Sequence, residues 1–250
     1  MIFYFTATGN SKFIAERIAT GTNDSMIDIA ECVKADKYSF AIKDSETLGV
    51  VLPVYFYGIP IIVAEFLENL NIPLKADTFV YAVLNCGGTT ANAEKFINQR
   101  MSVNAIFGIK TVDNYVPMYK IISGENINVR LDKAEHDIDE VIRHIKERRN
   151  GGVNNFKGVF PRLSTSILYL VYKYGRKTKE FTVNENCIGC GLCEKICPRQ
   201  IIKLNKGTPV WEEERCEICF ACLHRCPESA INYGKNTAKN GRYLNNRVKL

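Results

Sequence analysis

No run of eighteen apolar residues occurs anywhere in the 250-residue chain, which excludes a membrane-spanning helix as the reading of any segment. The longest apolar run near the middle, Ser166 to Tyr172, is far too short to cross a bilayer. The opening residues, MIFYFTATGN, lack the charged n-region of a targeting segment and enter a strand directly, so the expected location is the cytoplasm. A large excess of one charge is also missing. The formal net charge is +6, and no groove-reading motif accompanies it, so nucleic acid is not an expected partner. Hydrophobic residues make up 46%, enough for a packed core in one large domain or two smaller ones.

Cysteine, by contrast, is abundant and ordered. Eight of the ten fall in two runs. Cys187, Cys190, Cys193 and Cys197 precede Pro198; Cys216, Cys219, Cys222 and Cys226 precede Pro227. The spacing C-x2-C-x2-C-x3-C-P, used twice, is a ligation pattern for two [4Fe–4S] clusters in which the fourth cysteine of each run serves the other cluster. Cys187, Cys190, Cys193 and Cys226 are therefore expected on one cluster, and Cys216, Cys219, Cys222 and Cys197 on the other. Zinc sites favour separated pairs of ligands. A disulfide framework needs an oxidising compartment and usually a short secreted chain. The two runs also align with one another, CIGCGLCEKICPRQII with CEICFACLHRCPESAI, a repeat of one half-domain. The stretch from about Phe181 to Gly234 resembles the bacterial two-cluster ferredoxins.

The first part of the chain reads as alternating strands and helices. Ile2 to Phe5 is a buried strand, and Thr6, Thr8, Gly9, Asn10 and Ser11 lead from it into a helix. Free N–H groups at a helix start, with hydroxyls beside them, form an anion site. No lysine is present, so this is not the loop of the nucleoside triphosphatases. Ser25 to Ala30 reads as a second strand, and Glu31 to Ser45 as a short helix or loop. The apolar run Thr47 to Pro53 reads as a central parallel strand, ending at Pro53 and followed by Tyr55, Phe56, Tyr57 and Gly58. Thr78 to Leu84 is the next strand, followed by Asn85, Cys86, Gly87 and Gly88. Ligands in open α/β sheets bind at such strand ends. A helix at Ala93 to Met101, a strand at Val103 to Thr111 and a helix at Val129 to Arg149, ended by Asn150-Gly151-Gly152, complete the pattern.

The T-x-T-G-x-S loop and the two later loops resemble the flavin mononucleotide (FMN) site of flavodoxins, over about residues 1–150. The resemblance implies a doubly wound, five-stranded parallel sheet with the FMN phosphate on Thr6 to Ser11. It implies the flavin ring beside Tyr55 to Gly58 and Asn85 to Gly88. Many flavodoxins carry a second ring-stacking aromatic on the third loop. Here that loop has none, so either one ring face is more open or another segment covers it, for which Tyr115, within the long loop Val112 to Gly124, is the candidate.

Residues 151–180 read as a linker and bridging helix, with Leu163, Ile167, Leu170, Val171 and Tyr174 at helical spacing, expected to pack. Residues 181–234 read as a small α+β ferredoxin domain with a hairpin at Ile201 to Trp211. Residues 235–250 read as a basic tail that lies on the first domain or stays loose. Residues 1–150 hold 16 Lys and Arg against 19 Asp and Glu, and the remainder 17 against 8, so the halves carry −3 and +9. Each cluster adds roughly −2 and a flavin phosphate roughly −2, which brings the holoprotein near neutrality. The fields remain opposite and favour docking, with Val112 to Gly124 near the junction. The union of the two domains resembles the EFR-family ferrodoxins. That implies an electron-transfer flavoprotein carrying two [4Fe–4S] clusters and FMN, serving a redox partner protein. A flavin reductase of a small molecule or quinone, fed by the clusters, is the alternative. No Cys–His pair stands in the flavin loops, which favours the carrier.

Overall fold

The computed structural model describes residues 1–43, 46–153 and 156–250. Asp44 and Ser45, at the end of the stretch read as helix or loop, and Asn154 and Asn155 of the expected linker lie outside the described residues. Strands β1 (Ile2–Tyr4), β2 (Met26–Asp28), β3 (Leu48–Pro53), β4 (Val80–Cys86) and β5 (Ala105–Lys110) form one sheet in the order β2-β1-β3-β4-β5, all parallel. This is the flavodoxin-like doubly wound order, in which β1 and β3 flank the topological switch point. The continuous apolar runs that marked β3 and β4 are buried on both faces, as a parallel sheet requires. Helices α1 (Asn10–Thr22) and α5 (Gly124–Lys146) cover one face; α2 (Ile29–Lys34), α3 (Ile61–Asn69) and α4 (Glu94–Asn98) cover the other.

Several boundaries differ from the sequence expectations, three of them for clear local reasons. β2 stops at Asp28 because that residue caps α2, its Oδ1 accepting the Ala30 N–H at 2.8 Å. α5 starts at Gly124, about two turns before its apolar stripe begins at Leu131, so periodicity misses the exposed first turns. Gly151 and Gly152 do not cap α5. The Gly151 N–H donates to the Asn104 carbonyl at 2.8 Å, and its own carbonyl accepts from Ile106 at 3.0 Å, beside β5. A Cβ on Gly152 would stand 1.7 Å from the Ile106 oxygen, so close backbone approach demands glycine there.

Beyond lies α6 (Pro161–Gly175), then β6 (Phe181–Val183), α7 (Leu192–Ile196), β7 (Ile202–Asn205), β8 (Thr208–Trp211), α8 (Ala221–His224) and β9 (Ile231–Tyr233). β6 pairs antiparallel with β9, and β7 with β8. Lys206 and Gly207, both at positive φ, form the two-residue hairpin turn. The result is a ferredoxin-like iron–sulfur domain with α7 and α8 at equivalent points of its two halves.

α6 packs the opposite way from the expectation. Its buried side carries Thr165, Leu168, Tyr169 and Tyr172, while Leu163, Ile167, Leu170, Val171 and Tyr174 are exposed. Three of the inward side chains, Thr165, Tyr169 and Tyr172, reach hydrogen-bond partners that aliphatic residues cannot satisfy.

The two halves share a core. Tyr172 of α6 and Val116 of the 112–124 loop are buried with Ile218, Phe220 and Leu223, and Tyr55 and Phe56 pack against them. Arg199 bridges the buried Glu217 and Glu65 of α3. The C-terminal segment lies on the first domain: the Asn245 N–H donates to the Thr8 carbonyl at 2.8 Å, and Arg247 pairs with Asp132 and Glu135 of α5. Burial and directional bonds join the halves, alongside the opposite fields.

Candidate cofactor sites

The C-terminal ends of β1, β3, β4 and β5 open on a cavity of about 350 Å³. Thr6, Thr8, Asn10 and Ser11 line it from the first loop, Pro53, Tyr55, Phe56 and Tyr57 from the second, and Asn85, Cys86, Gly87 and Gly88 from the third. Gly9 and Gly58 stand outside its wall. Gly9 has φ +100°, and a Cβ there would meet Val248 Cγ1 at 2.9 Å and Asn245 Cβ at 3.1 Å. A Cβ on Gly58 would fall 2.2 Å from the Tyr169 ring. Both glycines leave room for side chains from later parts of the chain.

The first loop is braced from outside. Thr8 Oγ1 accepts from Asn114 Nδ2 at 2.6 Å. Asn10 donates through Nδ2 to the Val112 carbonyl, and its Oδ1 accepts from the Tyr243 hydroxyl at 2.6 Å. Among the described residues no side chain caps α1, and its first turn has no acid. A buried helix start with uncommitted N–H groups and two hydroxyl residues, Thr8 and Ser11, suits a phosphate dianion.

The second loop is strained. Tyr55 and Gly58 exchange both backbone hydrogen bonds at 2.9 Å around Phe56 (φ 47°) and Tyr57 (φ 64°). Such turns usually take Asn-Gly, and bulky residues at positive φ cost on the order of 1–3 kcal/mol each. α6 holds the turn: Thr165 Oγ1 donates to the Tyr57 carbonyl at 3.0 Å, Tyr169 donates to the Ile59 carbonyl at 2.9 Å, and the Tyr172 ring stacks on Phe56 at 5.6 Å. Tyr115 supplies an aromatic to the cavity wall, its ring 5.2 Å from Phe56 and 5.7 Å from Phe220.

Burial pushes the Cys86 thiol and the Tyr115 phenol each up to about 12. Asn85 is committed, donating to Ser11 Oγ and accepting from Thr111 Oγ1. None of these is a proton donor or acceptor tuned near neutrality.

The eight cysteines form two groups. Cys187, Cys190, Cys193 and Cys226 surround a single small cavity near the surface, with Cys190 exposed. Cys197, Cys216 and Cys222 are buried, and Cys219 lies on the wall of the large cavity between Ile218 and Phe220. Among the described residues no three Cys, His, Asp or Glu side chains converge on one ion position. Thiolates on separate irons of a cube need no such convergence. Burial pushes Cys216 up to about 12 and raises Cys219 and Cys222 well above the usual thiol range, so these thiols ionise only against the charge of a metal.

The wall contributed by Ile218, Cys219 and Phe220 carried no signal in the sequence that tied it to the first domain. Neither did His224. Its Nδ1 accepts from the Tyr243 N–H at 3.2 Å, so Nε2 carries the proton and donates to the Asn114 carbonyl at 3.0 Å. Burial lowers its pKa to about 4, which keeps it neutral. Through Asn114 it links α8 to Thr8 of the first loop.

A flavodoxin-domain family matches residues 1–112, and a 4Fe-4S dicluster domain family matches residues 174–231. Among curated proteins, one subunit of an ion-translocating oxidoreductase complex of Methanosarcina acetivorans is 42% identical over 45 residues, 18% of this chain and 17% of that one. An uncharacterized ferredoxin of Methanocaldococcus jannaschii is 37% identical over 51 residues, 19% of this chain and 66% of that one. The aligned stretch thus spans under a fifth of the first relative and about two thirds of the second. Among solved structures, rubredoxin oxygen:oxidoreductase from Desulfovibrio gigas aligns with 13% identity over 59% of this chain and 36% of that one, at a TM-score of 0.35. A flavodoxin domain and a 4Fe-4S dicluster domain in one chain imply FMN, iron–sulfur clusters and an electron-transfer or oxidoreductase role.

Proposed function

We propose that this protein relays electrons between two [4Fe–4S] clusters and FMN on behalf of a redox partner, as its resemblance to the EFR-family ferrodoxins implies. The domain limits proposed are 1–150 for FMN, 151–180 for the bridge, 181–234 for the clusters and 235–250 for the tail. Bound, the clusters supply one-electron chemistry and the flavin one- or two-electron chemistry. The chain supplies the order of the sites. One observation carries this reading: Ile218, Cys219 and Phe220 share a cavity wall with Thr6, Thr8, Asn10 and Ser11 of the first loop and with the Tyr55–Tyr57 and Asn85–Gly88 loops. The group built on Cys216, Cys219, Cys222 and Cys197 is therefore the inner one, against the flavin. The group on Cys187, Cys190, Cys193 and Cys226 is the outer one, with Cys190 and Ile188 at the surface to meet a partner.

Thr6 to Ser11 hold the phosphate, while the strained Phe56–Tyr57 turn and Tyr115 bound the ring. Burial, which holds the Cys86 and Tyr115 protons well above neutrality, supports a carrier over a reductase. Anaerobic reconstitution tests the cofactors: about eight irons, eight sulfides and one FMN per chain are expected. Uptake of no flavin, or of iron without sulfide, contradicts the relay.

A further inference from the structure

α6 wears its most apolar side outward. Leu163, Ile167, Leu170, Val171 and Tyr174 are each more than half exposed, and Val159 and Phe160, just ahead of the helix, are about three-quarters exposed. On a helix of 3.6 residues per turn these side chains form one stripe, opposite the inward face of Thr165, Leu168, Tyr169 and Tyr172. A contiguous apolar surface on this scale marks an interaction site.

Charge narrows the occupant. From Arg148 to Lys179 the chain contains no Asp or Glu. Arg162 and Lys173 lie on α6, and Lys177 and Lys179 just beyond it; all four are solvent-exposed. Among the described residues none of these four makes an ion pair. A second copy of this face would bring like charges together, so self-association is disfavoured. The helix hydroxyls beside the stripe are spent internally: Ser164 Oγ donates to the Phe160 carbonyl and Ser166 Oγ to the Arg162 carbonyl. The stripe thus offers apolar area and positive charge but few directional hydrogen bonds, which suits a fluid anionic surface better than a specific protein partner. With 15 residues α6 is too short to cross a bilayer, and no helix among the described residues is long and apolar enough to do so.

We infer that α6 docks the protein on anionic lipid, lying in the plane of the membrane surface. Its apolar stripe enters the headgroup boundary, and its cations meet lipid phosphates. Its inward face, which holds the Tyr55–Gly58 turn, keeps the flavin cavity directly behind the membrane-facing helix.

The test is flotation of the full-length holoprotein with vesicles of phosphatidylcholine containing phosphatidylglycerol, and with pure phosphatidylcholine. Binding to the anionic vesicles is expected, weakened by salt and much weaker on pure phosphatidylcholine. The double variant Ile167→Asp/Leu170→Asp should lower binding by about tenfold or more. Lys173→Glu/Lys177→Glu should weaken it while leaving the visible spectrum unchanged, which separates docking from folding. Absence of flotation of the cofactor-loaded wild type overturns the inference, as does undiminished flotation of the Asp variant. A dimer that Ile167→Asp dissolves, without vesicle binding, assigns the face to a second copy and also overturns it.

Discussion

The two cysteine runs share one spacing, but the chain between the cysteines differs. In the first run the two left-handed positions are Gly189 (φ 66°) and Gly191 (φ 74°), which adopt them without strain. The equivalent positions of the second run are Ile218 (φ 41°) and Phe220 (φ 58°). A β-branched residue and a bulky aromatic at positive φ are strained, on the order of 1–3 kcal/mol each. Those two side chains line the cavity beside Cys219 and join the core shared by both domains. The first run keeps relaxed glycines and faces solvent. The second accepts strain in exchange for contact with the flavin domain. Ligand spacing says which cysteines act together; the residues between them say which site is inside.

The largest effects should come from breaking one site and sparing the other. Cys219→Ala and Cys197→Ala should each cost the inner cluster, halving the iron content, and stop electron passage from the outer cluster to flavin. Cys190→Ala should cost the outer cluster alone and leave FMN bound. Iron analysis with electron paramagnetic resonance distinguishes them; loss of the outer cluster from Cys197→Ala would refute the crossed ligation.

Next in size is the buried anchor of the inner site. Glu217 is 1% exposed and bonds to Tyr172, Arg176 and Arg199. Arg199→Ala removes its best-placed cation, and about 3–5 kcal/mol of stability should be lost in chemical denaturation. No anchor of this kind is seen at the outer site among the described residues, where the carboxylate of Glu194 pairs with the half-exposed Lys203. Lys203→Ala should cost at most about 1 kcal/mol.

Smaller effects test the strain itself. Gly189→Ile imposes the second run's residue on the first, with a Cβ 2.9 Å from the Gly207 carbonyl oxygen, and should destabilise by about 1–3 kcal/mol. The reverse change, Ile218→Gly, relieves comparable strain while losing about 1.5–3 kcal/mol of buried side chain, so the net change should be small. Equal costs in both directions, by denaturation of the holoproteins, would remove strain from the account. Salt should have the least effect. The domains meet through a buried apolar core, so the rate of electron passage within the chain should barely change with ionic strength. A strong salt dependence would mean that the opposite charges of the halves dominate.

What could be read from the sequence was what chemistry repeats locally. The cysteine spacing proposes its ligands because a cube constrains that spacing. The three loops were legible because apolar runs located the strand ends that carry them. What escaped depends on contacts between distant segments. Gly9 also makes room for Val248 and Asn245, more than two hundred residues later, which its place in the first loop does not announce. Tyr169, which demands Gly58, and His224, which braces Asn114, have partners that no local pattern names. Periodicity showed that α6 is amphipathic but not which side faces inward. Thr165, Tyr169 and Tyr172 won the inner face through hydrogen bonds to Tyr57, Ile59 and Glu217.

The central claim is that electrons reach the flavin through the inner cluster. The direct test mixes oxidised holoprotein with a reduced one-electron donor protein too large to enter the flavin cavity, and follows cluster and flavin absorbance. In the wild type the clusters should bleach first and the flavin follow. In Cys219→Ala, with FMN and the outer cluster retained, the outer cluster should still be reduced while the flavin stays oxidised. Flavin reduction at the wild-type rate in that variant would contradict the account.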